Sequence, residues 1–187
     1  MRMEVNFKHQ KAAKPEPIYI EQVYAEKPGG GVIHAPSFDA PQSTAVGLDD
    51  SGHFVLIKAA RLVKAAGSSD STIEVAKGSG FVKNEFIGSG KKTVQITNVD
   101  TSKPDKDVLT IAQFGKTVPL GTVLYQAKSA QDSAVTPFVA PCYVTGNSIV
   151  GGEGDQSVRL INGANLRKET ANIASEVAEL LPTIKLV

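Results

Sequence analysis

Short apolar segments separated by glycine, proline and polar residues follow one another along most of the chain from Gly52 onward. Many of these segments are rich in β-branched residues or alternate apolar with polar positions, which is typical of strands. No strong helical pattern interrupts them. The pattern predicts a mainly β protein, built as a small β-sandwich or barrel. The predicted strands cover residues 53–58, 62–65, 72–76, 81–87, 93–99, 108–112 and 122–127.

The segment that follows predicts two paired strands around a tight turn. Apolar residues at 143–150 and 158–161 flank three glycines at 151–154. Glycine reaches positive φ without a steric penalty from Cβ, so the chain is expected to reverse direction there.

The next residues have the period of one amphipathic helix, with apolar side chains at i, i+4, i+7 and i+8 and polar ones opposite. Thr170 or Asn165 is expected to cap its start, and Pro182 to end it, because proline cannot continue a helix. The apolar residues after Pro182 predict a short final strand at the end of the chain. The apolar stripe of the predicted helix consists of Ile173, Val177, Leu180 and Leu181.

The first quarter of the chain has a different composition. Five prolines and three consecutive glycines divide residues 1–50 into pieces too short for a core of their own. We therefore predict an extended N-terminal arm over residues 1–50 and a β domain over residues 51–187, in which residues 72–127 are a candidate subdomain. Residues 18–24 have the composition of a strand, which pairs with its own domain or with a neighbour. The alternative is a disordered leader that carries one isolated strand.

The end of the chain resembles a known family. Val-Arg-Leu-Ile-Asn-Gly-Ala-Asn-Leu at 158–166, then a helix, then Leu-Leu-Pro-Thr-Ile-Lys-Leu-Val at 180–187, is similar to the end of bacteriophage head fiber and capsid decoration proteins. Strand-like segments upstream resemble parts of head fiber proteins, so that the likeness covers residues 50–187. These upstream segments are residues 54–59, 72–77, 94–101 and 121–127.

The resemblance implies a structural virion protein of mainly β fold. Proteins of this family attach to the outside of a tailed-phage capsid, commonly as trimers. The implied partners are therefore the phage major capsid protein and further copies of the same chain. The implied location is the capsid surface of the virion, after synthesis in the cytoplasm of the bacterial host. The family supplies no residue with a chemical role.

Composition excludes several classes of function. Twenty Lys and Arg residues balance nineteen Asp and Glu residues among 187, for a net charge of +1. Neither sign forms a block, so a nucleic-acid partner is not expected. No apolar run is long enough to span a bilayer, and the start lacks the apolar region of a signal peptide, so we expect no membrane association. At this length the chain is one domain, or one domain with an appendage.

The motifs that suggest a ligand-binding site lack positions that such a site requires. Residues 88–93, Gly-Ser-Gly-Lys-Lys-Thr, resemble the end of a phosphate-binding loop, but Glu85 occupies the first glycine position and a second lysine follows the first. Residues 152–157 begin like a dinucleotide-binding motif but end in serine and lack a βαβ context. Both are predicted to be turns. The carboxylates of residues 49–53 and 103–107 are predicted to form Asx turns rather than a calcium site.

The histidines and the single cysteine give no pattern of a reaction centre either. Cys142 lies in an apolar stretch, where a buried and unreactive thiol is expected. The histidines, far apart in sequence, show no spacing typical of metal ligands and are predicted to be scattered surface residues or residues with satisfied hydrogen bonds. We therefore predict no catalytic, cofactor-binding or metal-ligating residue, and the chain is not expected to be an enzyme. The three histidines are His9, His34 and His53.

Two functions of different classes remain. The first is a structural protein that attaches to a phage capsid. The alternative is a soluble β-sandwich binding module, for example for carbohydrate, in which exposed aromatic side chains would stack on the ligand. The chain contains no tryptophan, four tyrosines and seven phenylalanines. This composition disfavours a stacking platform, and the structural function is preferred.

Overall fold

The computed structural model describes residues 17–187 and confirms the predicted mainly β fold. The described residues form fourteen strands and one short helix near the end of the chain. The helix, α1, covers Ser175–Ala178. The strands are β1 (Ile20–Glu26), β2 (Gly31–Ile33), β3 (Ala45–Leu48), β4 (Phe54–Leu56), β5 (Ala59–Arg61), β6 (Thr72–Ala76), β7 (Phe86–Ser89), β8 (Lys92–Asp100), β9 (Lys106–Ile111), β10 (Val123–Ala127), β11 (Pro141–Thr145), β12 (Gln156–Val158), β13 (Leu160–Leu166) and β14 (Ile184–Leu186).

The strands form two curled sheets, each with the shape of a half-barrel. The larger sheet has the order β1-β13-β11-β3-β4-β2-β12, and β14 pairs with β13. The smaller sheet has the order β5-β10-β7-β8-β9-β6 and is formed by residues 59–127, which include the whole 72–127 segment. A single bridge between Leu62 and Val75 brings the two ends of this sheet together. The smaller sheet is therefore almost closed on itself.

Three clusters of buried apolar side chains form the core. One lies within each sheet, and the third joins both sheets to the end of the chain. In the joining cluster, Tyr125 of β10 packs with Val144 of β11, Ile161 of β13 and Val177 of α1. Because this cluster draws on both sheets, a substitution within it affects the junction between them.

Most predicted strands lie where the pattern placed them. The bounds of β6 agree with the prediction, and those of β8, β9 and β10 differ from it by one or two residues. The strand predicted at 62–65 is wrong. Leu62 donates its N–H to the carbonyl of Thr122 and Val63 donates to that of Glu74, so this segment crosses from β10 to β6. The strand of this region is β5, just before it.

The arm predicted for residues 1–50 requires correction for the described part, residues 17–50. These residues supply β1, β2 and β3 of the larger sheet, and Ile33 and Val46 are buried in its core. Short pieces are sufficient here because each pairs with a distant strand instead of forming a core of its own. The prediction that residues 18–24 hold a strand that pairs within the domain is confirmed by the pairing of β1 with β13. Residues 1–16 lie outside the described residues.

The predicted reversal between residues 143 and 161 is correct in its paired strands and wrong in its detail. β11 and β13 pair antiparallel, with Val144 opposite Ile161. The residues between them do not continue this ladder, since Ile149 bridges to Ala40 and β12 pairs with β2. The glycine turn therefore closes a loop that crosses the larger sheet.

The predicted helix is present but shorter. The side chains of Ile173, Val177 and Leu181 are buried, as predicted for the apolar stripe. Leu180 is 45% exposed, so the prediction is wrong for this residue. Neither Thr170 nor Asn165 caps the helix, because its N-cap is Ala174 and has no side-chain hydrogen bond. After the proline, β14 pairs parallel with β13, which confirms the predicted final strand.

Candidate assembly surface

The candidate surface is β1, which lies at one end of the strand order of the larger sheet, with β12 at the other end. β1 pairs with β13 alone among the strands of residues 17–187. The ladder runs from Ile20 opposite Leu166 to Glu26 opposite Ile161, and its register shifts at three places. The other side of β1 therefore offers backbone N–H and C=O groups to a further strand.

The side chains of β1 are exposed on both faces of the strand. Ile20 packs on the joining cluster, and every later residue of β1 is exposed. Two of these are apolar or aromatic: Val23 is 37% exposed and Tyr24 is 51% exposed. Just before the strand, Ile18 is exposed as well. A sheet edge with apolar side chains and an open backbone is the type of surface that natural proteins cover or guard.

Both acidic residues of β1 are neutralised by arginines near the ends of β13. Arg167 Nε donates to Glu21 Oε1 at 2.9 Å. Arg159 donates to Glu26 Oε2 from Nη2 at 2.7 Å and from Nε at 3.1 Å. Exposed ion pairs of this kind contribute about 0–1 kcal/mol each to stability. Their consequence here is that the edge of β1 carries no unpaired charge that would repel a second strand.

The two apparent ligand-binding motifs are turns, as predicted. Residues 88–93 form the hairpin between β7 and β8, in which Ser89 pairs with Lys92 and Gly90 has a φ of +58°. Tyr125 Oη donates to the carbonyl of Gly90 at 2.9 Å, and Glu176 accepts the N–H of the same glycine. The turn is thus tied to β10 and α1. Residues 152–155 form the turn that leads into β12.

The two acidic segments differ from one another. Asp49 forms the predicted Asx turn, because its Oδ1 accepts the N–H groups of Ser51 and His53 at 2.9 and 2.8 Å. The backbone hydrogen bond from His53 has the largest effect in lowering the pKa of Asp49, and the one from Ser51 lowers it further. Asp107 contradicts the prediction, because it lies buried in β9 and accepts two backbone N–H groups and the hydroxyl of Ser79. Although burial raises the pKa of Asp107, hydrogen bonds from Ser79 and Lys77 outweigh it and the net direction is downward.

His34 and His53 are surface residues with carboxylate partners, which agrees with the prediction, but they are neighbours and not scattered. Their rings stack with centroids 4.7 Å apart and an interplanar angle of 26°. His34 Nδ1 lies 2.9 Å from Asp155 Oδ1, and His53 Nδ1 lies 3.5 Å from Asp49 Oδ2. Sequence distance concealed this pair, and the pairing of β2 with β4 creates it. His9 lies outside the described residues.

Cys142 lies half-buried on β11, and its Sγ is 3.5 Å from the carbonyl oxygen of Val46. Burial raises the pKa of this thiol. Since the thiolate is the reactive form, we expect Cys142 to react more slowly with a disulfide reagent at pH 8 than an unperturbed cysteine in a peptide. Unfolding in urea should bring its rate to the peptide value. A native rate equal to the peptide rate would contradict the expected protection.

A buried ion pair at the junction of the two sheets was not found by sequence reasoning. Lys58, between β4 and β5, has its Nζ 2.7 Å from Glu85 Oε1, and the side chain of Lys58 is only 8% exposed. Gln126 Nε2 donates to the same oxygen at 3.1 Å, and the N–H of Val82 donates to Oε2 at 2.9 Å. The pair borders a cavity of about 220 Å³, which is also lined by Phe138. Single charged residues in strand-like segments gave no signal that they would meet.

A cavity of about 600 Å³ lies between the smaller sheet and the end of the chain. Arg61 lines it, but its guanidinium is already engaged: Nη1 donates to the carbonyl of Gly121 at 2.8 Å and Nη2 to that of Ala171 at 2.7 Å. Desolvation lowers the pKa of Arg61. With two carbonyls as partners, Arg61 joins β5 to the segment before α1.

Residues 17–187 hold no group of three or more His, Cys, Asp and Glu side chains arranged to bind a metal ion. Among the same residues, no helix is long and apolar enough to cross a membrane. Searches of family models, curated proteins and solved structures find no match for this chain.

Proposed function

We propose that this protein is a structural component of a tailed-phage or prophage virion. It attaches to the outside of the capsid as a head fiber or decoration protein and assembles as a cyclic oligomer, a trimer. The observation that carries the proposal is the open edge of β1, a seven-residue strand whose residues after the first are exposed. The resemblance of residues 50–187 to head fiber and decoration proteins supports a virion as the assembly that this edge serves.

A second copy of the chain is the partner that fits the edge of β1. The free backbone groups of β1 can hydrogen-bond to a strand of the neighbouring copy, while Val23 and Tyr24 supply apolar contacts. Both acids of the strand are paired within the chain, so like charges do not oppose the approach of an identical molecule. A closed ring of copies covers every such edge, whereas an isolated chain leaves it open to uncontrolled pairing.

Val23→Lys tests the oligomer. A lysine on an edge strand opposes pairing with a further strand, so we expect the wild-type trimer in native mass spectrometry and a monomer for the variant. Val82→Lys is the matched control, because Val82 is 54% exposed and lies in the turn before β7. That variant should remain a trimer. A wild-type monomer at high concentration, or a trimer that survives Val23→Lys, would contradict the assigned role of β1.

Capsid attachment requires its own test. Capsids assembled from the major capsid protein encoded in the same genome should carry the wild-type protein into the pellet on sedimentation. Binding should saturate at a fixed number of copies per capsid, because a decoration protein occupies equivalent lattice positions. Wild-type protein that stays in the supernatant would overturn the capsid assignment, whatever its oligomeric state.

A further inference from the structure

We propose that His34 and His53 form a binding site for a divalent transition-metal ion, of which Zn²⁺ is the test case. The site lies on the larger sheet where β2 ends and β4 begins, and it does not depend on the proposed capsid function. Two imidazole nitrogens bind the ion, and water completes its coordination. Imidazole is a preferred ligand of zinc, copper and nickel ions.

The sheet places the two histidines side by side. β2 and β4 pair parallel, with Ile33 opposite Phe54. His34 directly follows β2 and donates its N–H to the carbonyl of Phe54 at 3.1 Å, and His53 directly precedes that phenylalanine. The backbone of both residues is therefore fixed by the sheet, and so is the proximity of their rings.

The Nδ1 atom of each ring faces a carboxylate. Asp155 Oδ1 faces His34 Nδ1 at 2.9 Å and accepts the N–H of Ala35 at 3.0 Å, which fixes its position. Asp49 faces His53 Nδ1, and its other oxygen is held by the Asx turn. A carboxylate that accepts the Nδ1 proton selects the tautomer whose Nε2 carries the free lone pair. Histidine ligands of metal ions commonly have this arrangement.

The separation of the rings suits a shared ion. Zinc binds imidazole nitrogen at about 2.0–2.1 Å, so one ion can bridge two nitrogens no more than about 4.2 Å apart. The ring centroids are 4.7 Å apart and the rings are stacked, so the rings must turn out of the stack for both Nε2 atoms to face one ion; both side chains are 52% exposed, which gives them room to do so.

Calorimetric titration of the full chain with ZnCl₂ tests the site. We expect one ion per chain, and at least tenfold weaker binding for His34→Ala and for His53→Ala. His9→Ala is the control and should bind zinc as the wild type does. Both substituted histidines are more than half exposed, so the variants should keep the wild-type circular dichroism spectrum and melting temperature.

Asp155→Asn separates a site with an oriented ligand from two independent surface histidines. The variant keeps both ligands but loses the carboxylate behind His34, and we expect about 10–100-fold weaker zinc binding, the usual effect of such a change. The ¹⁵N shifts of His34 should show the Nδ1–H tautomer in the wild type and a mixture in the variant. Absence of zinc binding by the wild type, wild-type affinity in both histidine variants, or an equal loss in His9→Ala would overturn the proposal.

Discussion

Val177→Asp is expected to unfold or severely destabilise the protein. Val177 is 1% exposed and lies in the apolar cluster that joins both sheets to the end of the chain. A carboxylate there has no partner, and an uncompensated buried charge costs at least about 3 kcal/mol. Whole domains have stabilities of about 5–15 kcal/mol, so the loss is a large fraction of the total. Thermal unfolding should show a melting temperature lower by about 6 °C or more.

Glu179→Ala is the matched control, two residues along the chain and exposed. It should change the free energy of unfolding by less than about 0.5 kcal/mol. Glu176, which the helical pattern also places opposite the apolar stripe, is unsuitable because its carboxylate accepts the N–H of Gly90. A wild-type melting temperature for Val177→Asp would show that the end of the chain is not part of the core.

Local patterns were sufficient for most strands of the smaller sheet. β6 alternates exposed or half-exposed with buried positions, and β9 alternates half-exposed with buried ones. This is the period of a strand with one face on a core, so their sequences alone indicate them. The same is true of the turn at 88–93, where glycine supplies the required positive φ. In each case the determinants of structure lie within a few residues of one another.

Long-range pairing is what the pattern could not predict. β1, β2 and β3 come from a segment broken by proline and glycine, yet they pair with strands up to 146 residues away, as Ile20 does with Leu166. Their stability comes from partners that no local window contains. The same reason explains why the helix was predicted too long. Before it, the N–H of Lys168 donates to the carbonyl of Val187 and that of Asn172 to Ser43 Oγ, so these groups bond to distant residues instead of forming a helical turn.

The candidate sites depend on the same long-range contacts. His34 and His53 are nineteen positions apart and become neighbours only because β2 and β4 pair. The edge character of β1 follows from the strand order of the sheet, which its own sequence does not contain. The composition of residues 18–24 indicated a strand, and only the topology shows that one side of this strand has no partner within residues 17–187.

Glu85→Ala is expected to have the second large effect on stability. Glu85 Oε1 accepts from Lys58 Nζ at 2.7 Å, and the lysine side chain is only 8% exposed. Removing the carboxylate leaves a buried ammonium group without its counter-charge, which costs about 3–5 kcal/mol for a buried pair. We expect the lower end of that range, because Glu85 is itself 21% exposed beside a cavity that water can enter. Urea unfolding of the variant and the wild type measures the difference.

Two further variants separate the buried charge from the packing around it. Glu21→Ala breaks the exposed pair with Arg167 and should cost no more than about 1 kcal/mol. In Lys58→Met combined with Glu85→Gln no charge is buried, and the amide oxygen can still accept the N–H of Val82, so most of the loss in Glu85→Ala should be recovered. If Glu85→Ala were no more costly than Glu21→Ala, the ammonium of Lys58 would be solvated through the cavity. The Lys58–Glu85 pair would then contribute no more to the junction of the two sheets than an exposed ion pair does.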